Sequence, residues 1–269
     1  MSATIIDREL EAKHRAVWAL GDYASVADDL VRPLGSELVA AAGIRAGQRV
    51  LDVAAGTGNA AFAAAQTGAR VIASDLCPDL LERGRAAATA GGLDVDWREA
   101  NAEALPYTDG EFDAVISCIG VMFAPHHQQA ADELIRVCRP GGTVAVLSWT
   151  PQGFIGQMFA TMKPYLPAPP PGTQPAPLWG DEDYVRGLFG DRVEIDSRRG
   201  TLAVGSFPDG AAFRDYFKAN YGPMVAAYAS IDPANAAGLD ADLAALGDAA
   251  LAGSPAMGWE YLIVTGRRR

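Results

Sequence analysis

The sequence predicts an α/β fold with a doubly wound, mainly parallel sheet and helices on both faces. Two observations carry this. Short, almost wholly apolar runs at residues 49–53, 70–74, 95–98, 114–117 and 143–147 alternate with amphipathic segments near 60–67, 79–91 and 128–138. Strands without polar alternation are those covered on both faces, and crossovers of this length return each strand parallel to the one before. The glycine turn after the first run and the Pro140-Gly141-Gly142 stop before the fifth mark a strand-to-helix and a helix-to-strand junction.

Ahead of the sheet, over residues 7–42, Leu10, His14, Val17 and Trp18, then Val26, Leu30, Leu34, Leu38 and Val39, recur at helical spacing. They predict two helices broken at Gly21-Asp22, where Asp22 can cap the second. The turn brings Trp18 and Tyr23 together as a corner that can serve as a lid. After residue 149 a helix near 154–163 runs into Pro164, Pro167, Pro169, Pro170, Pro171, Pro175 and Pro177, a stretch poor in backbone donors and therefore a surface connector or lid edge. A helix near 181–189, a strand at 193–199, helices at 208–219, 223–231 and 239–251, and a strand at 261–265 complete the chain. Phe207, Phe213, Tyr216, Phe217, Tyr221, Met224 and Tyr228 fall at helical spacings, as core or as an aromatic wall closing over a ligand.

Composition narrows the partners. A net charge of −11 with no basic stripe repels phosphate backbones, so no nucleic acid is expected. Arg267, Arg268 and Arg269 read as a solvated tail. No apolar run approaches membrane-spanning length and the first twenty residues lack a secretory pattern, so the expectation is a cytoplasmic protein without a membrane partner. Cys77, Cys118 and Cys138 show no CxxC spacing, and neither a disulfide framework nor a metal site is expected.

The chemistry concentrates in Val50-Leu51-Asp52-Val53-Ala54-Ala55-Gly56-Thr57-Gly58-Asn59, a buried strand, an acid and a glycine loop opening a helix. Ala61 stands where a dinucleotide-binding fingerprint carries its third glycine, and Asp52 would repel a pyrophosphate but suit a cationic amino-acid group. Asp75 closes the second strand some twenty residues on, where an acid can take both hydroxyls of a ribose. Asn101-Ala102-Glu103-Ala104-Leu105-Pro106 follows the third strand; 112–117 and 134–142 complete the pattern.

In this order and spacing the four segments resemble class I S-adenosylmethionine-dependent methyltransferases, most nearly the branch of quinone-biosynthesis C-methyltransferases and small-molecule enzymes, over residues 18–149. The resemblance implies a Rossmann-like, seven-stranded sheet whose antiparallel last strand, 261–265, inserts beside 143–147. It divides the chain into N-terminal lid helices (1–45), a cofactor-binding core (46–150), a proline-rich connector with a strand and helical cap on the acceptor side (151–258), and a last strand with a basic tail (259–269). S-adenosylmethionine is the implied cofactor. Gly56 and Gly58, with Thr57, would pass under its methionine part. Asp52 and the Ala54 carbonyl would lie near the ammonium group, Asp75 would hold the ribose, and Leu76 would flank the adenine. Asn101 and Ala102 would meet the adenine edge, Ser117 would face the sulfonium, and Trp18 and Tyr23 would form the lid.

A sulfonium methyl is already electrophilic, so alignment matters more than acid–base help. If a base is used, the candidates are His14, His126 and His127. His127, after the fourth strand, is preferred, against a competing reading as a solvated first helical turn. The partner is a small-molecule acceptor, and O-, N-, S- and C-methylation are not separable. The rival readings are an NAD(P)-dependent oxidoreductase, disfavoured by Asp52 and Ala61, and a non-catalytic S-adenosylmethionine-binding protein.

Overall fold

A computed structural model describes residues 8–269; Asp7, counted above in the first helix, lies outside them. Seven strands form one sheet in the order β3-β2-β1-β4-β5-β7-β6. They are β1 (Arg49–Val53), β2 (Arg70–Asp75), β3 (Val95–Glu99), β4 (Phe112–Cys118), β5 (Cys138–Trp149), β6 (Val193–Val204) and β7 (Met257–Arg268). The first five are parallel, and β7 runs antiparallel to both β5 and β6. Strand order reverses between β1 and β4, so loops leaving their carboxyl ends diverge and open a crevice.

The core helices are α4 (Asn59–Gln66), α5 (Pro78–Ala90) and α6 (His127–Val137). Ahead of them α1 (Arg8–Trp18) turns at Gly21-Asp22 into α2 (Tyr23–Val26), which passes through one π-helical turn into α3 (Arg32–Ala42). Asp22 caps α2 as expected, its carboxylate accepting from Ser25 N. After β5 come α7 (Phe154–Met162) and α8 (Glu182–Phe189), and between β6 and β7 lie α9 (Gly210–Asn220), α10 (Gly222–Ser230) and α11 (Pro233–Leu251). Among the described residues, no helix is long and apolar enough to cross a membrane.

The strand expected within segment 151–258 is β6, the edge strand of the main sheet, which pairs with β7 along its whole length. The arginine tail is a correction. Arg267 and Arg268 belong to β7, and Arg267 Nη1 donates to Gly141 O at 2.8 Å. Arg268 donates to the carbonyls of Arg136 and Cys138, which sets a cation at the C-terminus of α6. The proline stretch is a surface excursion held at its far end: Gln174 N donates to Pro125 O at 3.0 Å, and Trp179 beyond it is fully buried.

Candidate active site

At the reversal point, two non-glycine residues on neighbouring strand ends adopt left-handed backbone: Ala54 after β1 (φ 53°) and Ile119 after β4 (φ 67°). Each costs roughly 1–2 kcal/mol and persists only where the surroundings enforce it. Ser117 is part of that enforcement. It is fully buried, its hydroxyl donating to Val53 O at 2.7 Å and accepting from Val121 N at 2.9 Å, so it clamps the ends of β1 and β4 together. The expectation that Ser117 faces a ligand is overturned: both its hydrogen-bonding directions are taken up by backbone.

Above these strand ends lies a cavity lined by Ala54, Gly56 and Thr57 from the β1 loop, Asp75 and Leu76 from β2, and Asn101, Ala102 and Glu103 from the loop after β3. Asp75 organises it. One carboxylate oxygen accepts from Gly56 N and the other from Cys77 N, both at 2.8 Å, tying the glycine loop to β2. Burial pushes its pKa up, and the same amides oppose the shift.

Asp52 and Gly58 do not line the cavity. The Asp52 side chain is sealed beneath the loop with neither carboxylate oxygen in hydrogen-bond geometry, and burial raises it to about 8, an effect the nearby Ala61 amide attenuates. Gly58 is required by packing: φ is +96°, and a Cβ there would lie 2.5 Å from the Trp97 ring.

Tyr23 and Trp18 line the cavity from the N-terminal corner with ring centroids 5.3 Å apart, and Trp18 also packs edge-on against Phe123 at 4.8 Å and Tyr221 at 5.9 Å. The corner is fastened to the α9–α10 junction, where Asp22 N donates to Asn220 O at 2.9 Å. At the opposite rim Glu103 accepts from His126 N at 2.6 Å and meets His126 Nδ1 at 3.0 Å, and Asn101 Nδ2 donates to Glu11 at 2.9 Å. His14 completes this cluster, its pKa lowered by burial against the opposing pull of Glu103.

His127 is not there. It is fully buried beneath α6, with Nδ1 at 3.0 Å from Tyr184 Oη and its ring against Trp179, and burial lowers its pKa to about 4. The reason is helical phase: the buried face of α6 is His127, Ala130, Ala131, Leu134 and Ile135. His126, one residue earlier, lines the cavity. Of the seven-residue aromatic wall, Phe213 and Met224 are core, while Tyr216 and Tyr228 turn outward to hydrogen-bond Asp29 and Asp240. Sequence reasoning missed Glu11 and the loop at 118–120; Glu11, His14 and Trp18 share one face of α1 at helical spacing, a signal that was available.

The cavity lining contains the carboxylates of Glu11, Asp75 and Glu103 and no lysine or arginine among the described residues. Such a field favours a ligand with positive charge and opposes a pyrophosphate.

Residues 51–146 match a family model described as a methyltransferase domain. An uncharacterised protein of Mycobacterium tuberculosis is 54% identical, covering 98% of this chain and 97% of its own. A demethylmenaquinone methyltransferase of Thermus thermophilus is 41% identical over 40% of this chain and 50% of that protein. Among solved structures, the YcgJ protein of Bacillus subtilis superposes with a TM-score of 0.62 at 15% identity, covering 88% of this chain and 98% of that one. A geranyl diphosphate methyltransferase in complex with S-adenosylmethionine gives a TM-score of 0.55 at 17% identity, covering 88% and 85%.

Proposed function

The chain belongs to the class I S-adenosylmethionine-dependent methyltransferases, and from that premise we propose that it methylates a small, apolar or aromatic acceptor by in-line displacement. The observation that carries this reading is the cavity itself, whose lining above the β1 and β4 ends holds three carboxylates and, among the described residues, no lysine or arginine. Its residues fit the cofactor. Asp75 retains lone pairs for ribose hydroxyls beyond those used by Gly56 N and Cys77 N. Leu76 would flank the adenine and Asn101 with Ala102 would meet its edge. Ala54, Gly56 and Thr57 would take the methionine part. Trp18 and Tyr23 would cover it. Asp52 acts on the loop from below, as a buried acid rather than a direct ligand.

When bound, S-adenosylmethionine supplies a methyl group on an electron-poor sulfur. The chain's own part is to position and to exclude water: the Ser117 clamp fixes the two strand ends, and the Trp18–Tyr23 corner closes the cavity from outside. No general base is assigned. His127 is sealed off, and His14 and His126 cluster with Glu103 on the rim.

An NAD(P) cofactor would bring a pyrophosphate into a cavity where, among the described residues, no lysine or arginine meets it. The test is transfer from methyl-labelled S-adenosylmethionine into a panel of hydrophobic phenols, quinols, thiols and amines. Label extracted into organic solvent supports the reading; label that stays water-soluble with every member opposes it.

A further inference from the structure

β6 ends the sheet, and its outer edge pairs with no other strand. On β7, Glu260 O accepts from Thr150 N beside β5, so Glu260 and the residues in phase with it, Leu262, Val264 and Gly266, turn their backbone groups toward β5. The β6 residues opposite these, Thr201, Arg199, Ser197 and Ile195, therefore turn theirs outward. Among the described residues no backbone group of another element pairs with them, and the Ser197 N–H is met by its neighbour's carboxylate, Asp196 Oδ1 at 2.9 Å.

An unpaired edge is a template for a further strand, and short length, proline or a bulge commonly blocks it. This edge runs for twelve residues in unbroken register and contains no proline. Charge is what guards it, and the charge is sorted: Glu194 and Asp196 precede Arg198 and Arg199, all four exposed. A second copy of the strand lying parallel in register would meet like charge with like, whereas an antiparallel copy meets its complement.

Hydrogen-bond phase restricts the antiparallel register further. The outward groups belong to odd-numbered residues, which must pair with odd-numbered ones, so the two-fold axis passes beside a residue and not between two. With the two copies of Asp196 opposite each other, or the two of Arg198, like charges coincide. With the two copies of Ser197 opposite each other, each Asp196 faces the other chain's Arg198, at a position of the ladder where side chains approach most closely. Arg198 can serve two acids, because its Nη2 donates to Glu37 of its own chain at 2.9 Å and a guanidinium carries five N–H groups.

We infer that the β6 edge is a self-association surface and that its partner is a second copy of this chain, paired antiparallel with Ser197 facing Ser197 to make one sheet continuous across both copies. The seam is separated from β4 and its cavity by β7 and β5, so association leaves the cavity open.

Sedimentation velocity over a concentration series up to about 100 µM tests this. Wild type is expected to pass from monomer to dimer. Asp196→Arg and Arg198→Asp, each of which sets like charges opposite, should weaken association about tenfold, and the two together, which exchange the partners, should restore it. A wild type that stays monomeric throughout, a dimer indifferent to the single reversals, or a double variant no tighter than the singles overturns the inference. If a reversal unfolds the chain, cross-linking decides in its place. Mild oxidation of Ser197→Cys should join two chains by a disulfide, while Thr201→Cys, which in this register lies far along the strand from its counterpart, should not; equal cross-linking of both, or of neither, overturns the inference.

Discussion

Asp52 carries a cost that can be measured. Its native carboxyl is raised to about 8, whereas an unfolded aspartate titrates near ~3.9. Between these values the native state holds a proton that the unfolded state has lost, so unfolding releases a proton and stability falls as pH rises. Asp75 is shifted in the same direction. His14 and His127 are shifted down and give the opposite slope, but only below their unfolded value of about 6.5. From pH 6.5 to 8 Asp52 dominates, and the Tm of the ligand-free protein is expected to decline. Asp52→Asn should flatten that decline and raise Tm at pH 8, and an unchanged slope would show that the acid is not buried in this way. His127→Ala tests the overturned catalytic assignment. It should cost about 2–4 kcal/mol by leaving a cavity against Trp179 and Tyr184, with S-adenosylhomocysteine affinity unchanged within twofold by calorimetry. At this scale the sequence indicated where Gly56 and Asp75 lie, at the cavity, because that placement follows from a local turn and its spacing. It did not disclose where Ser117 and Asp52 point, because that depends on how β1 and β4 pair. His127 was legible, since its phase with Ala130, Ala131 and Leu134 places it inward.

Elements meet here through contacts with no room to spare. At Gly21, φ is +68° and a Cβ would lie 2.5 Å from the Asn220 carbonyl oxygen, a backbone atom that cannot step aside. Gly21→Ala should therefore detach the α1–α2 corner from the α9–α10 junction. The expected result is several-fold weaker S-adenosylhomocysteine binding together with faster amide exchange in α1, while exchange in β1 and β4 stays as in wild type. Gly58→Ala acts differently, because its Cβ would strike Trp97, whose ring also fills the space beside Gly84 on α5. Global stability should fall by about 2 kcal/mol or more with little direct effect on ligand contacts, read from denaturant unfolding. Most helices and the five parallel strands were visible in the chain because periodicity and caps are local signals. The reach of β6 and β7 was not: 193–199 and 261–265 were seen as short runs, yet the two pair over twelve residues, and in β6 the exposed Glu194, Asp196 and Arg198 interrupt the apolar signal on an edge strand.

Across the whole molecule, the last strand joins what the sequence separates. β7 lies between β5 and β6, so the edge strand has no place in the sheet until the chain's final segment inserts. The same strand contributes Trp259 to the core, and Arg267 and Arg268 fasten its end to the α6–β5 turn. The Trp18–Tyr23 corner and the main cavity thus meet at one point, the strand ends where Ala54 and Ile119 take left-handed backbone. If this point binds S-adenosylmethionine through the Asp75-tethered loop, thermal unfolding with S-adenosylhomocysteine, S-adenosylmethionine and NADH in parallel, on wild type and Asp75→Ala, will show it. Ligand at a hundredfold excess over Kd adds about 2.7 kcal/mol, a rise of a few degrees in Tm for a chain of this length. Both sulfur compounds should give that rise and NADH none, and Asp75→Ala should lose it. A shift with NADH alone, or an undiminished shift in the variant, would mean that the loop does not hold this cofactor.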